Sequence, residues 1–362
     1  MSTCPPPLIR DPAWPDISPV HGCHAGCCVP CPLEYSLYPE NVLDNGFHAA
    51  SIARAISGVL MIYLFVSYMV LPNKRKHPSL LIFFATFSVM IFSLVGFFTA
   101  FKPRTVQCAS EITKSTMYNN TTCGVQGTLL ILGSFGSCVW IALIILNLHV
   151  HTVWGKQWMN KRHRWVSVGG WIYCIAFTVI AYAMGEVQYE FAELCLVSKK
   201  HSLALFFYPL AVAVFPAAIL HMWTVIYIIR VRRQVHGRGI RNDNLSSTGS
   251  SKRARKTAVM AIVRLQWRAM TLAVAVTSAL MFYWIFYFVD INKEPTSATQ
   301  AAWMKCMLQG KGQNVCAKIV EPEVPSYQTM IAAEMVVSVQ GTVFFIIFAL
   351  QRSLVLEWKE FF

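Results

Sequence analysis

Near its N-terminus the chain places two histidines and four cysteines within eleven residues: His21, Cys23, His24, Cys27, Cys28 and Cys31. Imidazole and thiolate are zinc's preferred ligands, so this run could hold that metal. The spacing, however, is not a Cys-x2-Cys pair repeated at finger distance, and in an oxidising compartment such thiols close into disulfides. Disulfides are the preferred reading and no metal is expected. Two further residues stand out because their surroundings are apolar: Arg54 and Glu334 are the charges that interrupt otherwise uncharged stretches. Beyond these the chain lacks a Gly-rich phosphate loop, a Gly-x-Ser-x-Gly elbow and a His-Glu-x-x-His pair. No enzyme and no cofactor is expected, and an apolar last stretch without lysine excludes a retinal Schiff base there.

The elements that must position these residues are membrane helices. Charged residues make up 13% of the 362 and hydrophobic ones 55%, with mean hydropathy +0.47. Soluble domains carry about 25% charged residues, and this much apolar surface could not be covered in one soluble core. Seven apolar stretches run roughly Ala50 to Leu71, Ser79 to Phe101, Val125 to Leu148, Trp165 to Gly185, Ser202 to Ile229, Ala269 to Val289 and Tyr327 to Leu350. About 20 residues of helix cross the ~30 Å hydrocarbon core, and the pattern lacks the alternation of a barrel strand. The expected fold is an all-α membrane protein, a seven-helix bundle. Its parts are a Cys/Pro-rich N-terminal segment over 1–48, the bundle over 49–350 and a short tail over 351–362. The net charge of +14 sits between the spans, so it reads as orientation and lipid contact rather than nucleic-acid binding.

Orientation follows from Lys and Arg. With the N-terminus outside and the C-terminus in the cytoplasm, the inner segments hold 19 of them against 10 in the outer ones, as the positive-inside rule requires. Ten of the 12 cysteines then lie outside and none lies in an inner loop, matching an oxidising exterior. Overlapping sequons at Asn119 and Asn120 fall in the first outer loop, where glycosylation is expected. Cys306 and Cys316, ten apart, would fold the outer segment 290–326 into a lobe, and Cys108 needs a partner from the N-terminal cluster, for which Cys31 is our choice.

Arg54 and Glu334 lie about 6 Å and about 10 Å below the outer ends of the first and last spans. An ion pair between these neighbouring helices would reduce the cost of both charges. The alternatives are an Arg54 that reaches the headgroups and a Glu334 that is protonated or faces a wet pocket. On the inner side, segment 230–264 is expected to be a basic flexible loop. Its flanks, with Arg230, Arg232, Arg233 and Arg264, continue the fifth and sixth helices as a docking surface for an acidic partner. Its centre offers Ser246, Ser247, Thr248, Ser250 and Ser251 for phosphorylation.

On this topology the chain resembles the Frizzled/Smoothened family of seven-span receptors, most of all the short Frizzled-like proteins of fungi and amoebae. The resemblance rests on Cys123 to Trp158, with Trp140 and Trp154-Gly155-Lys156, and on Leu194-Cys195-Leu196-Val197, Pro78, Trp171 and Glu334-Met335. It implies outer disulfides similar to Cys123–Cys195, Cys306–Cys316 and one from Cys108 to the segment before the first span. Two departures argue against family partners: the 48-residue N-terminal segment cannot contain the cysteine-rich domain through which Frizzled receptors bind Wnt, so Wnt binding in that manner is not expected. Four residues rather than three separate Ser353 from Trp358, which departs from the family motif that recruits Dishevelled, so that contact is not expected either. The family's latch of a tryptophan on a basic residue would be replaced by Phe348 with Arg268 or Arg264. The third span lacks Asp-Arg-Tyr and the last lacks Asn-Pro-x-x-Tyr, the marks of rhodopsin-type receptors.

The resulting expectation is a plasma-membrane receptor. An external ligand, with a sterol or lipid suggested by the resemblance, would shift helix packing and open a site for a heterotrimeric G protein. A membrane scaffold is the alternative. A small-solute transporter is a weaker one, since neither polar groups in several helices nor broken helices in a repeat are evident.

Overall fold

The computed structural model describes the chain apart from residues 1–3, 12–22, 25, 76–78, 157, 240–249, 290–292, 294, 350–351 and 362. Among the described residues, seven helical stretches are long and apolar enough to span a membrane: Val42–Val70, Ser79–Phe98, Thr121–Trp154, Lys161–Ala183, Lys199–Val231, Met270–Val289 and Tyr327–Ala349. In order the helices are α1 (Val42–Val70), α2 (Ser79–Leu94), α3 (Thr121–His149), α4 (Trp158–Ala183), α5 (Tyr208–Gly239) and α6 (Ser250–Val289). A lobe of α7 (Ser297–Leu308) and α8 (Gln313–Val320) follows. The last span consists of α9 (Tyr327–Ser338) and α10 (Gln340–Ala349), and α11 (Arg352–Phe361) closes the chain.

Helices satisfy their backbone polar groups internally, which is what lipid demands. The middle of the bundle belongs to α3. Two thirds of its most apolar window is buried (67%), against 22% for α4 at the periphery. The Asn120 side chain caps α3 by accepting from the N–H groups of Thr122 and Cys123, two of the donors a helix start leaves open. Gly133 and Gly136 let α2 lie directly on α3: a Cβ there would stand 2.6 Å from the Phe92 nitrogen and 2.3 Å from Ser88 Oγ. Such close approach of backbones replaces the hydrophobic drive that lipid removes. Trp140, fully buried, packs against Phe84 and Trp171 with ring centroids 4.5 Å and 5.4 Å away.

The last span leaves one backbone bond unmade around Val339, and α1 supplies it. Ser57 Oγ donates to the Ser338 carbonyl (2.9 Å) and accepts from the Thr342 N–H (3.3 Å), so neither group is left open in an apolar setting. Here a side chain of one helix stands in for one backbone hydrogen bond of another.

Two small sheets stand at one end. Strands β1 (Ile9–Arg10), β2 (Cys23–His24) and β3 (Cys27–Cys28) form an antiparallel sheet in the order β1-β3-β2. Strands β4 (Val187–Phe191) and β5 (Leu194–Val197) form a hairpin with Val187 opposite Val197 and Phe191 opposite Leu194.

The helices are longer than the apolar runs. α1 starts at Val42, ahead of Ala50, because Leu43 and Phe47 bury themselves above the bundle while Asp44 and His48 dilute the hydropathy there. α5 and α6 extend through most of segment 230–264, leaving 240–249 between them. Ser246, Ser247 and Thr248 lie outside the described residues, as do Pro78 and the side chains of Ser250, Ser251, Arg232 and Arg264. Arg230 and Arg233 are exposed.

Candidate functional site

Five disulfides build a cap at the end of the bundle where α1 begins. Cys4–Cys27 and Cys23–Cys28 hold the small sheet, and Cys31–Cys108 ties the N-terminal segment to the α2–α3 connection. Cys123–Cys195 fixes β5 on the start of α3, and Cys306–Cys316 joins α7 to α8. Cys138 and Cys174 are free and buried in the bundle. The Asp11 carboxylate and the sulfurs of Cys23 and Cys28 lie within 4.8 Å of one another. Those two sulfurs are bonded to each other, so neither is available as a thiolate ligand. One apolar core runs through the cap, uniting Leu8 and Val29, Leu43 and Phe47 of α1, and Trp303, Met307 and Val320 of the lobe.

Two cavities lie below. The outer one, about 220 Å³, is walled by Tyr35, Tyr38, Tyr189, Tyr283 and Tyr287 together with Glu34, Glu190, Lys199 and Lys293. Glu34 stays accessible while protein crowds most of its sides, which raises its carboxyl above the usual value. The inner cavity, about 70 Å³, is lined by Arg54, Phe92, Ser134, Ser137, Cys138, Trp284, Glu334 and Gln340. Tyr283 and Leu196 border both cavities and so form the partition.

At the inner cavity Arg54 donates to Glu334 through a short hydrogen bond, and its guanidinium lies 5.3 Å from the Phe92 ring centroid. Both side chains are almost fully buried, yet Arg54 Nε and Glu334 Oε2 have no partner. A buried pair with open valences costs free energy that a ligand or water with both a donor and an acceptor would recover.

The hairpin turn Ala192–Glu193 separates the two cavities, with Ala192 in the outer wall and Leu194 in the inner one. The Ala192 carbonyl accepts from Tyr35 Oη (3.2 Å), Gln107 Nε2 (3.0 Å) and Tyr189 Oη (3.0 Å). Gln126 of α3 reads the turn from below, donating to the Glu193 carbonyl (3.0 Å) and accepting from the Cys195 N–H (2.9 Å). The Glu193 carboxylate accepts from Ser51 Oγ of α1, and Thr99 Oγ1 donates to Ser51 Oγ at 3.2 Å. His48 Nδ1 stands 3.8 Å from Glu193 Oε1. With 1% of its surface exposed, Glu193 is pushed by burial up to about 7, against the opposing pull of the Ser51 and Thr99 hydroxyls. Sequence reasoning missed Glu193. Its signal is a lone carboxylate in the apolar run Ala192-Glu193-Leu194-Cys195-Leu196.

A family profile for the Frizzled/Smoothened family membrane region matches residues 47–362. The chain belongs to the Frizzled/Smoothened family. The receptor is similar to the G protein-coupled receptor gprM of Aspergillus fumigatus, at 26% identity over 99% of this chain and 76% of that one. It is also similar to the Frizzled and smoothened-like protein K of Dictyostelium discoideum, at 24% identity over 32% of this chain and 20% of that one. Among solved structures, squid rhodopsin superposes with a TM-score of 0.49 at 15% identity, over 95% of this chain and 90% of that one. The family is one of receptors, not enzymes.

At the opposite end of the receptor the expected latch takes another form. The ring beneath Arg268 is its own neighbour Trp267 (5.4 Å), while Phe348 is buried against Phe344 (4.9 Å). One turn after Phe344 on the same buried face of α10, Phe348 points into the core. The contacts that do join elements there were not anticipated. Thr224 Oγ1 of α5 gives its proton to the Leu220 carbonyl, so His149 Nδ1 of α3 is the donor to Thr224 (2.8 Å). Trp358 Nε1 of α11 donates to Ser67 Oγ of α1 (3.2 Å), and Glu357 pairs with Lys74 at 3.0 Å. Trp358 is therefore turned onto the bundle rather than presented outward.

Asn119 is exposed. Asn120 spends its amide on the Thr105 carbonyl (2.7 Å) and Ser115 Oγ (2.8 Å) while capping α3.

Proposed function

We propose that the receptor sits in the plasma membrane with its disulfide cap outside, binds a ligand in the two stacked cavities and couples to a heterotrimeric G protein. The observation that carries this reading is the inner cavity, whose buried Arg54 and Glu334 keep one donor and one acceptor open. The hydroxyl end of an apolar molecule, such as a sterol or another lipid alcohol, complements that site, which at about 70 Å³ takes the end and not the body: the hydroxyl donates to Glu334 Oε2 and accepts from Arg54 Nε. Tyr283, shared by both cavities, gives an occupant a direct grip on α6, whose opposite end carries Arg268. The exposed Arg230 and Arg233 supply a basic docking face at that end, and the Ser/Thr cluster from Ser246 to Ser251 supplies phosphorylation sites. The outer placement of the cap is supported by the Lys/Arg distribution and by the position of the Asn119 and Asn120 sequons in the first outer loop. The name of the Aspergillus relative favours G-protein coupling over a scaffold.

The test is nucleotide exchange on Gα subunits of the source organism, with purified receptor in nanodiscs supplied with sterols and other lipid alcohols. Exchange that depends on receptor and rises with one of these lipids supports the reading, and Tyr283→Ala should abolish the lipid-dependent part. Exchange indifferent to receptor across the lipid series moves the assignment to a scaffold.

A further inference from the structure

The outer end of the bundle is closed by a single turn of chain. Ala192 and Glu193 tie together the N-terminal segment through Tyr35, the α2–α3 connection through Gln107, α3 through Gln126 and α1 through Ser51. Of these ties two are titratable, the Tyr35 phenol, which burial raises well above its usual value, and the Glu193 carboxylate, which is the one left to respond near neutral pH. Its surroundings are mixed in charge. α1 offers Asp44, His48 and, one turn below Ser51, Arg54; α9 offers Glu334, paired with Arg54. The N-terminal segment contributes Tyr35 and Glu34, and the hairpin contributes Tyr189 and Glu190. From α3 and the end of the second span come only the neutral Gln126 and Thr99.

Two features make this carboxylate a switch rather than a buried strut. Glu193 Oε1 and His48 Nδ1 are both buried atoms without a hydrogen-bond partner, facing one another at 3.8 Å, a distance too long for a bond and short enough to close. In addition, 38% of the His48 side chain is exposed while 1% of the Glu193 side chain is. The imidazole therefore stands between the carboxylate and solvent, as a side chain able to pass protons between them.

We propose that Glu193 is a proton-operated clasp: the pH on the capped side sets how firmly the hairpin turn is seated between the two cavities. In acid the carboxyl is neutral and its burial costs little. As pH rises the carboxylate must be held among Asp44 and Glu334 in a dry site, and the seated turn is weakened. The sign follows from the raised value. An acid held above its usual 4.5 by burial, to about 7, adds most to the folded arrangement below 4.5 and loses that contribution as pH climbs through 7. Because the same turn walls both cavities, proton binding and ligand binding are linked. The clasp stands independently of any G-protein coupling.

Hydrogen exchange on the full-length receptor in nanodiscs tests it without a signalling partner. Amides of residues 187–197 should be protected about tenfold or more better at pH 5.5 than at pH 8.5, after correction for intrinsic exchange, with the loss levelling off near pH 7. Glu193→Gln, neutral at every pH, should keep the acid-like protection throughout. His48→Gln should move that levelling-off point upward, since the carboxylate loses the imidazole that faces it on the solvent side. Infrared spectra of the wild-type receptor should show a buried protonated carboxyl band that disappears over the same range, a reading that holds even if Glu193→Gln does not fold. Flat protection in the wild-type receptor overturns the clasp, and so does a pH dependence that survives in Glu193→Gln.

Discussion

At the capped end, five disulfides, a β-hairpin and a two-helix lobe bind the N-terminal segment and the loops into one body. At the other, the described side chains join helices through the hydrogen bonds His149–Thr224 and Trp358–Ser67 and the ion pair Lys74–Glu357. A disulfide contributes about 2–4 kcal/mol by restricting the unfolded chain, whereas a hydrogen bond nets about 0.5–1.5 kcal/mol. Resistance to unfolding is therefore greater at the capped end, within which the Glu193 turn is the part that pH can loosen.

That contrast can be broken at several points. The largest effect belongs to the Arg54–Glu334 pair beneath the cap. Arg54→Leu should lower stability by about 3–5 kcal/mol because Glu334 is left charged and alone. The double variant Arg54→Leu/Glu334→Leu should recover most of it in thermal unfolding. A double variant as unstable as the single one would mean that the unpaired charge is not the source. Next, replacing Cys123 and Cys195 by serine should cost about 2–4 kcal/mol, with loss of protection in β4 and β5 and little change near His149. Thr224→Val should cost about 1 kcal/mol and raise hydrogen exchange at the His149 end of α3 only. If it also loosened the hairpin, the two ends would not be independent.

The smallest effect concerns the loop before α3. Thr121→Ala should remove a glycan, seen as a gel shift, while Thr122→Ala should not, because Asn120 is half-buried, caps α3 and gives its amide two bonds, whereas Asn119 is exposed and its amide gives one, to the Lys114 carbonyl (3.1 Å). Neither change should move the melting temperature noticeably.

Hydropathy is a bulk property of about 20 residues, so the seven spans were legible in the sequence. Two isolated charges in apolar helices were legible for the same reason: lipid leaves them few partners, and the structure joins Arg54 to Glu334. The segregation of cysteine points to the end that carries the cap. The rest depends on angles and turns that composition does not encode. Val42 to His48 reads as loop because polar residues alternate with the two that are buried. The facing of Phe348 depends on which face α10 turns to the core, and in a run as uniformly apolar as Val343 to Leu350 no periodicity reports that face. Glu193 matters only because Ala192, at φ 55°, turns the hairpin so that the carboxylate points at α1.

At Val339 the last span lends one backbone bond to α1: the Ser338 carbonyl and the Thr342 N–H both bind Ser57 Oγ, while Val339 itself stays helical and bonded to Met335 and Val343. Arg54–Glu334 and Ser57 therefore stitch α1 to the last span at successive turns. Gln340, which touches the inner cavity, sits inside that seam. A seam stitched in this way moves as a unit, so an occupant of the cavity meets α1 and the last span as one wall.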